Sequence, residues 1–188
     1  MSLIGTLNET NVDDLVSPLN GTVLANRLTD NTLTCYDAVT DNNNEYDFYH
    51  SNLTVELQFF IKECFVNLCG GWNNTESQTL SARHGTAKNW RFALLRVGVW
   101  ASQNCPLLPL SQWTESHVRA LLLGVLNNDI LWTEDTEKAP IGRGPVENVF
   151  VLLKRTRDFN LRGTLSDGLS FDLPKNFLRT TLEAKLKS

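Results

Sequence analysis

The stretch TAKNWRFALLRVGVWAS, residues 86–102, has the residue pattern of a long amphipathic helix. Its apolar side chains recur at intervals of three or four residues, at Trp90, Leu94, Val97 and Ala101. This spacing puts them on one face of a helix, whereas Thr86, Lys88 and Arg91 can lie on the other face. Residues 72–78 form a polar linker, so we predict that the helix begins after them and no later than Thr86.

Three further helices are predicted downstream of this stretch. The first is capped by Thr114 and ends at residues 127–128. The second has Pro145 at its start, where proline is favoured, and ends in the cations of residues 154–157, where the helix dipole favours positive charge. The third opens at residues 172–174. The apolar side chains of the three helices fall at helical spacing: Val118, Leu121, Leu122 and Val125; Val146, Val149, Phe150 and Leu153; Phe177, Leu178 and Leu182.

Upstream, helical spacing predicts one more helix over residues 57–68, with Asn52 or Thr54 as its cap. Before it, residues 32–36 and 46–49 can form two strands separated by the Asn-rich turn DNNN. The sequence therefore predicts a mainly α fold. A small N-terminal region with a short β-hairpin precedes a bundle of four to five helices.

The charge is distributed unevenly along the 188 residues, although the formal net charge is only −4. Residues 1–76 hold eleven acids and two bases, a balance of −9, and residues 77–188 hold ten acids and fifteen bases, a balance of +5. Between Glu76 and Glu115 there is no acid at all. We therefore predict two regions with separate surfaces: an acidic N-terminal region over residues 1–76 and a helical module over residues 77–188.

Motifs for catalysis, metal binding or cofactor binding are absent from the sequence. His50, His84 and His117 have no second His, Cys or Asp at metal-ligand spacing, and no phosphate-binding glycine loop or nucleophile motif occurs. We therefore expect no catalytic site, no cofactor and no metal in this chain. The four cysteines fit no zinc pattern and are interpreted as reduced structural residues of a cytoplasmic protein.

The cations of the second half are grouped on two predicted helices, which favours contact with nucleic acid. A helix N-terminus offers N–H groups and a positive dipole end to phosphate, and arginine and lysine around it add charged contacts. A solvated helix face is the alternative interpretation for either segment taken alone. The predicted DNA-binding residues are Arg83, His84, Thr86, Lys88 and Arg91 on the first helix, and Arg143, Asn148, Lys154, Arg155 and Arg157 on the second. Trp90, Trp100 and Trp113 fall on or near apolar stripes and are predicted to pack in the core.

The order of elements over residues 45–182 resembles the N-terminal extension and SAM-like core-binding domain of tyrosine site-specific recombinases, the phage integrase family. The likeness lies in the threonine-led basic helix from Thr86, the connector LLPL at residues 107–110, the helix start at Thr114 and the cation-ended helix over residues 146–157. The family implies a clamp on duplex DNA, with the cleaving tyrosine in a separate catalytic domain beyond this module. The chain's tyrosines all lie upstream of the helical module, so none matches that nucleophile: Tyr36, Tyr46 and Tyr49.

The resemblance implies a DNA-binding, non-catalytic module of a recombinase that acts in integration or excision of a mobile element. Its expected partners are double-stranded DNA and other recombinase protomers, without a membrane. A helical protein–protein adaptor is the main alternative, with the acidic first half as the partner surface. A secreted glycoprotein that uses the sequons at Asn8, Asn20, Asn52 and Asn73 is a third.

Overall fold

The computed structural model describes residues 30–37, 39–69, 83–131 and 139–186. In these ranges a two-stranded antiparallel hairpin precedes five α-helices and one short 3-10 turn. This confirms the predicted fold class, mainly α with a small N-terminal hairpin. The bounds of the elements are β1 Thr32–Asp37, β2 Asn42–Asp47, α1 Val55–Leu68, α2 His84–Asn104, the 3-10 turn Leu110–Gln112, α3 Glu115–Leu126, α4 Arg143–Leu161 and α5 Phe177–Leu186.

The hairpin is present, but its turn lies earlier than predicted. The strands pair from Thr32 opposite Asp47 to Asp37 opposite Asn42, so most of the predicted DNNN turn belongs to β2. Asp41 adopts a φ of 54°, a left-handed conformation that aspartate tolerates. In this register Leu33 and Tyr46 face each other, and both are buried in the core.

Helix α1 begins where its cap was predicted. The Leu57 N–H donates to Thr54 Oγ1 at 3.3 Å, which makes Thr54 rather than Asn52 the cap. Thr54 is also tied to α2, because its own N–H donates to Ser102 Oγ at 3.1 Å. The two helices approach closely at Gly98, where an added Cβ would lie 3.2 Å from a methyl group of Ile61 in α1 and 2.7 Å from one of Leu53 just before α1.

The hydrophobic core runs without interruption from the hairpin to α5. The predicted boundary between residues 76 and 77 falls outside the described residues, and the elements on its two sides pack on each other. Trp100 and Trp113 are buried in contact, edge to face with ring centroids 5.3 Å apart, whereas Trp90 is half-buried. The acidic and basic surfaces therefore share one core.

The later helices differ from the predicted bounds at their ends. Helix α4 begins at Arg143, two residues before Pro145, and continues to Leu161, past the cations at residues 154–157. Helix α5 begins at Phe177, so the prediction that residues 172–174 open it was wrong. Those residues belong to a packed loop in which Leu165, Leu169 and Leu173 are buried, and burial of these leucines outweighs the helix-start signal.

Hydrogen bonds fix this loop to the 3-10 turn and to α1. Asp167 accepts the N–H groups of Leu110 at 2.5 Å and Ser111 at 3.0 Å, at the start of the 3-10 turn. Glu63 of α1 accepts the Ser166 N–H at 2.9 Å and the Ser166 hydroxyl at 2.7 Å. Burial raises the pKa of the Glu63 carboxyl, which is 2% exposed. The loop thus supplies polar partners that α1 and the 3-10 turn need inside the core.

The four cysteines are free thiols in this structure: Cys35, Cys64 and Cys69 are buried and Cys105 is half-buried. No helix in the described ranges combines the length and apolar character needed to cross a membrane.

Candidate nucleic-acid interface

Helices α2 and α4 lie side by side and bring the two predicted basic segments together. Arg96 of α2 lines one groove with Pro145 and Asn148 at the start of α4. Trp90, earlier in α2, lies under the guanidinium of Arg155, later in α4, at 5.4 Å. The helices therefore run antiparallel where they touch. Nine of the ten predicted DNA-binding residues fall on this pair of neighbouring helices, and Arg83 is the cap residue directly before α2.

The N-terminus of α2 is partly occupied by the protein's own carboxylate. The His84 N–H, first in the helix, donates to Asp37 Oδ2 at 3.0 Å. This hydrogen bond and a second one from the Val39 N–H lower the pKa of Asp37. A phosphate at this helix end would have to approach a carboxylate anion, so the helix terminus is a weaker anion site than its sequence predicted.

His84 also connects α2 to the hairpin through its side chain. Its Nδ1 and the Tyr46 hydroxyl form a hydrogen bond of 2.8 Å. Burial raises the pKa of Tyr46 to about 12, and the residue is 3% exposed. A tyrosine nucleophile needs an accessible hydroxyl and an environment that favours its ionised form. The Tyr46–His84 pair has neither property and holds the hairpin in place.

Arg91 has a structural role as well. Its Nε–H donates to the Asp47 carbonyl oxygen at 2.5 Å, and its guanidinium lies 5.2 Å from the ring of Phe92. The side chain is half-buried and fixes α2 to the end of β2. Substitution of Arg91 would therefore disturb the hairpin as well as any DNA contact.

Two other predicted cations are already paired with acids. Arg143 contacts Glu147 one turn later at 2.6 Å, and Arg157 contacts Asp172 in the loop after α4. The first pair is exposed, and such pairs contribute little to stability, but each carboxylate cancels the charge that a phosphate would meet. These two arginines add less to the positive surface than the sequence predicted.

The remaining predicted residues, apart from half-buried Asn148, are exposed: Arg83, Thr86, Lys88, Lys154 and Arg155. Within the described ranges no acidic side chain pairs with any of their four charged groups. Lys154 lies 5.7 Å from the ring of Phe150, and such cation–π contacts hold the charge near the surface without neutralising it. These residues make the positive part of the interface.

A groove between α2 and α4 contains a cation that sequence reasoning left out of the site. Its volume is about 180 Å³, and Asn89, Phe92, Arg96, Pro145 and Asn148 line it. Burial lowers the pKa of the Arg96 guanidinium. Asn89 and Arg96 are seven residues apart and share a helix face, but Asn89 was not a predicted site residue, so this spacing alone does not connect Arg96 to the predicted site.

Groups for a metal site are not assembled in the part of the chain that the structure describes. There it brings no three His, Cys, Asp or Glu residues close enough to hold a metal ion. His117 is used in a helix cap, where its Nδ1 accepts the Thr114 N–H at 3.1 Å. The surface of α2 and α4 offers positive charge, amides and aromatic rings, which suit binding of an anionic polymer.

No family model, curated protein or solved structure matches this chain. The resemblance to tyrosine recombinases therefore stays a prediction from residue spacing and helix order.

Proposed function

We propose that this chain is a non-catalytic DNA-binding module of the tyrosine recombinase type, which grips duplex DNA through α2 and α4. The observation that carries the proposal is the set of exposed cations without acidic partners on two adjacent antiparallel helices. The proposal places the protein in the cytoplasm, on DNA beside other recombinase protomers. It assigns strand cleavage to a separate catalytic domain and requires no cofactor here.

The local charge supports this function although the whole chain is acidic. The described surface of α2 and α4 has four exposed cations without acidic partners, Arg83, Lys88, Lys154 and Arg155, and the half-buried Arg96 in the groove. Five phosphate contacts would release counterions and give log K against log salt a slope of roughly −4 to −5. The acidic hairpin packs against the start of α2 and would be repelled by the same phosphates, so the duplex should lie on the side of α2 that faces away from the hairpin.

Fluorescence anisotropy with a labelled duplex of about 25 base pairs tests the proposal, read at salt concentrations from 50 to 200 mM. The double variant Lys88→Glu/Arg155→Glu reverses one charge on each helix and is expected to abolish binding at 100 mM salt. The matched control is Lys175→Glu/Arg179→Glu, which reverses two exposed cations at α5 and so makes the same total charge change. The control is expected to bind like the unchanged protein.

Two results would contradict the proposal. The first is no binding by the unchanged protein at 50 mM salt with any duplex, including attachment-site DNA of its parent element. The second is equal loss of affinity in the Lys88→Glu/Arg155→Glu variant and in the Lys175→Glu/Arg179→Glu control, since that would show an effect of net charge alone.

The second candidate is a helical protein–protein adaptor. Three large apolar side chains, Val39, Tyr49 and Val55, are exposed near the acidic hairpin, with exposed fractions of 71%, 62% and 59%. An adaptor that binds through this region would keep its partner in the Lys88→Glu/Arg155→Glu variant and would lose it when Tyr49 and Val55 are changed to serine. The same pair of variants therefore separates the two functions.

A further inference from the structure

The groove between α2 and α4 is a polar recess with hydrogen-bond donors from both helices. Asn89 and Arg96 come from α2, Asn148 comes from α4, and Phe92 and Pro145 supply the apolar part of the wall. Among the described residues, none forms a hydrogen bond with the side chain of Asn89, Arg96 or Asn148. A half-buried guanidinium and two carboxamides in one recess thus have their hydrogen-bonding capacity unused.

Arg96 lines the groove beside an aromatic ring, a contact that leaves its N–H groups available to an anion. Its guanidinium lies 5.9 Å from the ring of Phe92, which also has Arg91 near it at 5.2 Å. A guanidinium against an aromatic ring still presents its N–H edge, and that edge matches two oxygens of one phosphate. Partial burial destabilises the charged form of Arg96, and an anion bound in the groove would stabilise that form again.

Because the groove is concave, it suits a backbone phosphate of DNA better than the edge of a base. Base edges lie inside the grooves of a duplex, and a protein reaches them with side chains that project from a convex surface. Backbone phosphates lie on the outside of the duplex and can enter a recess in the protein. Lys88 adjoins Asn89 on α2, and Arg155 follows Asn148 after two helical turns on α4, so exposed cations flank the recess.

We propose that the groove seats one backbone phosphate of duplex DNA, with Arg96 as its bidentate donor and Asn89 and Asn148 as amide donors. This inference rests on the proposed DNA-binding function and adds a residue and a fixed contact point to it. A seated phosphate would fix the position of the duplex relative to both helices, because its ligands come from both.

The test compares Arg96→Gln, Arg96→Lys and Asn148→Ala with the control Arg179→Gln, an exposed arginine on α5 that lies outside the interface. Arg96→Gln is expected to weaken duplex binding at 100 mM salt by 10-fold or more and to make the salt slope less steep by about 1. Arg96→Lys keeps the charge but lacks the parallel N–H groups with which a guanidinium binds two oxygens, so affinity should fall several-fold with the salt slope unchanged. Asn148→Ala should reduce affinity a few-fold at unchanged slope, and Arg179→Gln should stay within 2-fold.

The outcomes separate the groove from the overall function. If the unchanged protein binds DNA but Arg96→Gln stays within 2-fold of the Arg179→Gln control, the groove holds no phosphate and the DNA-binding function stands. If the unchanged protein binds no duplex at low salt, both proposals fail. A thermal melt of each variant shows whether it folds, and if Arg96→Gln does not fold, the results for Arg96→Lys and Asn148→Ala decide.

Discussion

A lysine buried in α1 should give the stability of the protein a distinctive dependence on pH. Lys62 is 1% exposed, and its ammonium donates to the Asp30 carbonyl oxygen at 2.7 Å and lies 5.0 Å from the ring of Phe59. Burial lowers the pKa of Lys62 from 10.5 to about 8. The perturbation that we propose is Lys62→Met, which keeps the length of the side chain and removes its charge.

The expected magnitude follows from the two pKa values. Between pH 8 and pH 10.5 the unfolded chain binds a proton at Lys62 that the native protein has released, so the free energy of unfolding rises with pH. Below pH 8 both states are protonated and the native protein carries the full cost of a buried ammonium. By pH 10 the gain relative to pH 7 should be roughly 2 to 3 kcal/mol, from about 1.4 kcal/mol per pKa unit.

Urea unfolding of the unchanged protein and of Lys62→Met, from pH 7 to pH 10.5, measures this gain. Burial also raises the pKa of Cys64 and Cys105, and such thiols lower stability as the pH rises above their unfolded value. That contribution is common to both proteins, so it cancels in the difference between their unfolding free energies. Only the titration of Lys62 should remain in the difference.

Over this pH range the free energy of unfolding of the unchanged protein should rise by about 2 to 3 kcal/mol relative to that of Lys62→Met. A difference that stays constant within about 0.5 kcal/mol from pH 7 to pH 10 would refute the reasoning, since it would mean that burial does not disfavour the charged form of Lys62. Lys175→Met, which removes an exposed lysine, is the matched control.

Three smaller predictions concern the contacts that hold the fold together. Gly168→Ala should destabilise the protein by about 1 to 3 kcal/mol in urea unfolding, because the new Cβ would lie 2.2 Å from the Thr156 carbonyl oxygen. Unchanged stability would show that the loop can shift to make room for the methyl group. Asp167→Asn leaves one acceptor oxygen for the two N–H groups of the 3-10 turn, so the thermal midpoint should fall by the equivalent of about 1 to 2 kcal/mol. If the variant melts at the same temperature as the unchanged protein, one of the two hydrogen bonds contributes nothing to stability. Tyr46→Phe removes the hydrogen bond to His84 and should lower the free energy of unfolding by about 1 kcal/mol, with faster amide hydrogen exchange in the hairpin. Unaltered exchange would show that this hydrogen bond does not anchor the hairpin.

The elements that sequence reasoning located are those specified by nearby residues. Thr54 and Thr114 precede apolar spacing of three to four residues, and the helices begin directly after them. The start of α5 was misplaced because the preceding loop is held by partners far away in the chain. Asp167 contacts the 3-10 turn across more than 50 residues, and no local pattern reports such a contact.

The burial of two charged residues in α1 also depends on distant segments and could not be predicted from local sequence. Lys62 and Glu63 lie beside an apolar stripe, and from the sequence they would be expected to face solvent. They are buried because the loop at Ser166 and the backbone at Asp30 cover that side of the helix and supply a donor and an acceptor. Burial of this kind depends on tertiary partners that a periodicity analysis does not include.

The candidate interface could be predicted only in part, for similar reasons. The pairing of Arg143 with Glu147 was readable from the sequence, since residues four apart are neighbours on a helix. The contact of Arg157 with Asp172 and the capping of α2 by Asp37 depend on how distant segments pack. Arg96 was overlooked because its environment is made by a second helix, and sequence spacing describes one helix at a time.

The hydrogen bonds between Glu63 and Ser166 also set the order of events during synthesis. The two residues are 103 positions apart, and a ribosome that adds about 5 to 20 residues per second needs roughly 5 to 20 s to cover that distance. For that time the carboxylate of Glu63 and the apolar surface around it lack the segment that covers them. Closure of the loop over α1 is therefore expected to be a late step of folding during synthesis.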